Sequence, residues 1–143
     1  MNKLLFIIVL AFLLSSHTEK KQLRNKIDFW ENYIKIDQTD PIYKKGQNLF
    51  KRNCAACHSI DMVQIGTAPA LGGITKLREK DWLYNYTRYS SKMFVQGDII
   101  AKEIRSKKNW GLMTSFPNLT DASLDAVYYF VEKRYEMTKK GIR

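Results

Sequence analysis

The chain has 143 residues, of which 45% are hydrophobic and 27% charged, a balance that fits one globular domain and excludes a wholly disordered chain. Its 24 Lys+Arg against 14 Asp+Glu leave a formal net charge of +10. The positive residues fall in scattered pairs (Lys20-Lys21, Lys44-Lys45, Lys51-Arg52, Lys107-Lys108, Lys139-Lys140) with no compact arginine-rich segment, which argues against nucleic acid and for acidic protein partners.

In chain order, the first segment, residues 1–16, reads as a secretory leader. Lys3 supplies a positive end, Leu4 to Leu14 is unbroken apolar sequence, and Ser15-Ser16 follows. Such a run is shorter than the roughly 20 residues that span a bilayer. Cutting after Ser16 leaves Leu14 where a small residue is wanted, so both a cleaved and a retained leader stay open. Export is the expectation, to the periplasm or the outer face of the inner membrane. Membrane association is expected only through this leader or through a partner complex. Residues 17–39 form a charged extension, yet Ile27, Phe29, Trp30, Tyr33, Ile34 and Ile36 give it apolar contact groups.

Residues 40–143 carry the domain. Asp40-Pro41 is a helix start, a carboxylate cap followed by proline at the first helical position. Ile42, Tyr43, Gly46, Leu49 and Phe50 mark one face of that helix. A loop-rich stretch is predicted from Cys54 to about Gly73. Trp82, Leu83, Tyr86 and Tyr89 predict a second helix, and Asp98 caps a short third one carrying Ile100 and Ile104. Thr120 caps the last helix, with Asp121 in its first turn, a Leu119/Leu124 staple, and a stripe of Leu124, Val127, Tyr128, Val131 and Tyr135. No segment sustains period-two alternation. The fold class is all-α.

The chemistry is concentrated in Cys54-Ala55-Ala56-Cys57-His58, which holds both cysteines and one of the two histidines. Two thiols three positions apart, followed at once by imidazole, is the attachment pattern of c-type haem. The thiols form thioethers to the haem vinyl groups, and the next side chain is held under the iron. Structural zinc needs four ligands and only three lie here. A thioredoxin-like pair lacks its βαβ setting, and a plain disulfide leaves His58 unexplained. One haem c, bonded to Cys54 and Cys57 and ligated by His58, is the implied cofactor.

With that motif in place, the chain from about Asp40 to Lys140 resembles a class I c-type cytochrome. Gly46 and Phe50 precede the haem motif at the family's spacing, and Phe130 matches the aromatic of the last helix. The resemblance implies a cytochrome c-like fold in which the N- and C-terminal helices cross closely at Gly46. Ala68-Pro69-Ala70-Leu71-Gly72-Gly73 matches the loop in which, by resemblance, the Pro69 carbonyl accepts the imidazole proton and Leu71 packs on the haem. Ala68 stands where the family usually has glycine. Met113-Thr114-Ser115-Phe116-Pro117 resembles the distal methionine loop, with Thr114 in place of a proline, and implies Met113 as sixth ligand.

Met62 follows His58 too soon to reach the opposite haem face, and Met137, near the end of the last helix, is expected to be exposed. Met93, ahead of Gly97 and readable as a loop residue, is the competitor; ligation by a lysine also stays open. Residues 97–110 look longer than in minimal members. With His58 and Met113 both on the iron, no position is left for substrate. The expected role is an electron carrier rather than an enzyme, shuttling between a quinol-oxidising complex and a terminal oxidase in a respiratory chain. Two alternatives stay open: a haem subunit fixed in a larger respiratory complex, and a ligand-binding or peroxidase-type protein with an open axial site.

Overall fold

The structure, a computed structural model, describes residues 19–21, 24, 39–106 and 110–142. The expected leader, residues 1–16, and most of residues 17–39 lie outside them. The chain divides into two units, Met1–Thr39 and Asp40–Arg143. Among its described residues the second unit holds five helices and no strand: α1 (Pro41–Asn53), α2 (Ile74–Leu77), α3 (Lys80–Val95), α4 (Ile99–Ser106) and α5 (Asp121–Lys139). The all-α expectation holds.

α1 starts because the Asp40 carboxylate accepts the Ile42 amide at 2.7 Å and proline follows at the first helical position. It packs chiefly on α5. The crossing is as close as the pairing of Gly46 with Phe130 implies: a Cβ on Gly46 would stand 1.9 Å from the Ala126 carbonyl oxygen and 2.8 Å from Phe130 Cβ. Tyr43 and Phe50 seat their rings on Phe130 at centroid distances of 5.1 and 5.4 Å. All three rings are almost fully buried, each contributing on the order of 1.5–3 kcal/mol.

α5 is capped by Thr120, whose hydroxyl accepts the Ser123 amide at 3.2 Å, and Asp121 occupies its first turn. Leu124, Val127 and Val131 of the expected stripe are buried, with Tyr128 and Tyr135 half-buried. Met137 is buried too, its sulfur accepting the Tyr43 hydroxyl at 3.8 Å, so its expected exposure was wrong. The reason is Tyr43, one helix away, which covers the last turn of α5.

Three further features differ from the sequence reading. α2, a single turn entered through Gly73 at φ 76, has no side-chain cap to announce it. α3 buries Leu83, Tyr84, Thr87 and Ser90, while Tyr89 turns outward. It also continues to Val95, which places Met93 within a helix rather than in a loop. α4 begins as expected, with Asp98 accepting the Ala101 amide at 2.8 Å; the same carboxylate accepts the Trp82 indole N–H at 3.2 Å.

Candidate cofactor site

The Cys54–His58 segment grows directly from the end of α1. Cys54 is its C-cap, and its amide reaches the Phe50 carbonyl at 2.8 Å. The chain then winds through one further turn, with the Cys57 and His58 amides donating to the Cys54 carbonyl at 3.1 and 2.9 Å. That turn brings Cys54, Cys57 and His58 into one short arc. Both cysteines are free thiols rather than a disulfide. Cys57 is exposed, whereas burial, reinforced by the neighbouring Cys57, pushes the Cys54 thiol up to about 11.

The following loop folds back over this arc. The Ala68 amide donates to the Cys57 carbonyl at 3.1 Å, and Gly66 sits where a Cβ would stand 2.8 Å from that same oxygen. Asp61 fixes the outer bend by accepting the Val63 and Gln64 amides at 2.9 Å. The Gly72 amide donates to the Met62 carbonyl at 2.8 Å, and a Cβ there would stand 2.4 Å from the Tyr135 ring of α5. The loop is thus tied at one end to the cysteines and at the other to the last helix.

This closure sets Pro69 against His58. The Pro69 carbonyl oxygen lies 2.8 Å from His58 Nδ1. A carbonyl can only accept, so Nδ1 carries the proton and, in the neutral ring, Nε2 carries the lone pair. Burial holds the imidazole below its usual value of 6.5, against a smaller opposing pull from the Pro69 carbonyl, and so favours that neutral form. His58 is 9% exposed, and no hydrogen bond to Nε2 is made among the described residues. An uncharged, oriented and unspent buried nitrogen beside two free thiols is the donor set that haem c requires. The residues fit the group. Leu71, half-buried, lies in the same loop.

The four methionines of the described residues divide in two. Met62 and Met137 are sealed by protein, 0% and 2% exposed, whereas Met93 and Met113 are only half-buried. Met93 lines a groove of about 730 Å³ with Asn85, Tyr89, Lys92, Gln96 and Asp98; no residue of the Cys54–Gly73 loop borders it. Met113 lies in the irregular segment from Trp110 to the cap of α5. Its carbonyl accepts the hydroxyl of Ser90 at 2.5 Å, and the Phe116 amide donates to the Thr87 carbonyl at 3.0 Å. Ser90, fully buried, escapes a reading of the sequence. The only signal for it is a pair of hydroxyl residues, Thr87 and Ser90, one turn apart on the face that also carries Leu83 and Tyr84. No cluster of three or more His, Cys, Asp or Glu side chains able to hold a metal occurs among the described residues.

Residues 43–134 match the family model of cytochrome c. Among solved structures, cytochrome c from Rhodothermus marinus superposes with a TM-score of 0.56 at 24% identity, covering 66% of this chain and 78% of that one. An engineered form of the Rhodothermus marinus protein bound to a carbene intermediate gives 0.53 at 23% identity over the same shares of the two chains. At such identity these likenesses speak to the fold. No curated protein matches. The family match, covering well over half the chain, together with the thiol pair and the imidazole beside it, makes this chain a member of the cytochrome c family that binds one haem c covalently through Cys54 and Cys57.

Proposed function

We propose that this protein is an electron carrier in which His58 and Met113 occupy the two axial positions of the iron. The haem, when bound, supplies a one-electron redox couple, the chemistry general to this family. The protein's part is to hold both sides of it. Pro69 fixes the ring of His58 and keeps its proton on Nδ1, the bond at 2.8 Å on which this reading chiefly rests. On the other side, Met113 is favoured because Met62 and Met137 are enclosed by protein and Met93 belongs to a helical turn facing a separate groove. A soft thioether there favours the reduced state and raises the potential.

Two protein ligands leave no position for a substrate, which separates a carrier from a catalyst. An engineered cytochrome c of the same fold is bound to a carbene intermediate, so the occupancy of the second axial position is the feature to test. Carbon monoxide added to the ferrous holoprotein is expected not to bind rapidly; fast stoichiometric binding would overturn His/Met ligation and bring back an open-site reading. The apolar leader supports export, and the net charge of +10 supports weak, fast docking on acidic redox partners such as an oxidase or a quinol-oxidising complex of a respiratory chain.

A further inference from the structure

α3 is interrupted at Tyr89, whose backbone (φ −138, ψ 35) is not helical. Around that point four polar links leave α3, and all of them end on the segment from Met113 to Phe116. The Thr87 carbonyl, which in an unbroken helix would serve the Ser91 amide, accepts the Phe116 amide at 3.0 Å. The Ser91 amide lies 3.5 Å from the Ser115 hydroxyl. The Ser90 hydroxyl donates to the Met113 carbonyl and lies 3.1 Å from Ser115 Oγ.

A serine inside a helix ordinarily points to solvent or bonds back to the carbonyl four residues earlier. Ser90 does neither, being fully buried and spent on a loop 23 residues further along the chain. Two residues earlier, Arg88 extends the same grip: its Nε donates to the Leu119 carbonyl at 2.7 Å and its guanidinium pairs with Asp121. The loop is therefore held from Met113 to the first turn of α5 by one side of α3.

We propose that the broken turn Thr87–Ser91 is a clamp for the distal loop, with Ser90 the positioning residue that fixes the backbone of Met113 and so holds its thioether in place. The clamp rests on the reading of Met113 as axial ligand. The hydroxyl is neutral and is engaged by Met113 and Ser115; it acts by restricting the one residue whose departure would open the site.

The test is the rate at which added imidazole displaces the sixth ligand of the ferric holoprotein, followed by loss of the sulfur–iron charge-transfer band well below the unfolding midpoint. Ser90→Ala is expected to speed displacement by about fivefold or more, the size of one lost neutral hydrogen bond. Ser115→Ala, which removes the hydroxyl shared by Ser90 and Ser91, is expected to speed it by a smaller factor, and it decides the matter if Ser90→Ala does not accumulate as holoprotein. Thr138→Val removes a side-chain bond of the same kind, to the Arg134 carbonyl at 3.0 Å on α5, and is expected to leave the rate unchanged. Wild-type rates in both serine variants, or an equal rise in Thr138→Val, would overturn the clamp while leaving Met113 as ligand. A wild-type spectrum with no such band would overturn the ligand assignment and the clamp together.

Discussion

At the scale of single residues, the site depends on where protons and lone pairs can go. His58 meets a backbone carbonyl rather than a carboxylate, so its orientation comes from the loop's path and not from a second titrating group. Gly46 does comparable work for packing. Its absent Cβ is what allows α1 to approach the Ala126 carbonyl, and that obstacle is backbone, which cannot swing aside. Gly46→Ala is therefore expected to cost about 3 kcal/mol or more, the upper end for overpacking, measured by denaturant unfolding of the holoprotein. A loss under about 0.5 kcal/mol, the range of neutral surface changes, would contradict the crossing described above. The run of Cys54, Cys57 and His58 was open to a reading of the residues themselves, whereas the Pro69 carbonyl on His58 and the close crossing at Gly46 were implied by the family resemblance. Ser90 was hidden. Its partner is a backbone carbonyl distant in sequence, and a buried serine leaves no periodic mark.

At the scale of elements, termini were easier to read than interiors. Asp40 and Thr120 begin α1 and α5 as their side-chain chemistry requires. α2 is a single turn with no side-chain cap and too short to show a hydrophobic period. α3 was legible from Trp82, Leu83, Tyr86 and Tyr89, although two of its four buried positions, Thr87 and Ser90, are hydroxyl residues. Met93 was read as a loop residue because Gly97 follows it closely, but the helix runs on through the interruption at Tyr89 to Val95 before it reaches that glycine. Asp40 ties two elements together, capping α1 while accepting the Tyr129 hydroxyl of α5 at 2.8 Å. That hydroxyl first, and then the Ile42 amide, hold its carboxyl below the ordinary value of 3.8. A carboxyl lowered in the folded state stabilises above its unfolded pKa, and the contribution fades as pH falls through the folded one. Asp40→Asn is accordingly expected to lower the thermal midpoint near neutral pH, with the gap to wild type closing below pH 3.8. A gap that stays constant with pH, or widens in acid, would contradict this role.

At the scale of the whole molecule, one-sided charge and a bound redox group belong to the same proposal. With 24 Lys+Arg against 14 Asp+Glu, encounter with an acidic partner is accelerated at long range and screened by salt over about 10 Å at 0.1 M. The rate of electron exchange with an acidic acceptor is expected to fall steadily as ionic strength rises, and a flat dependence would contradict docking by charge. The expected leader, residues 1–16, and the apolar residues from Ile27 to Ile36 lie outside the described residues. What the described domain bears on most directly is ligation. The most direct measurement is the near-infrared spectrum of the ferric holoprotein: a sulfur–iron charge-transfer band present in wild type and in Met93→Ala but lost in Met113→Ala is the expected result. A band that survives in Met113→Ala, or vanishes in Met93→Ala instead, would contradict it.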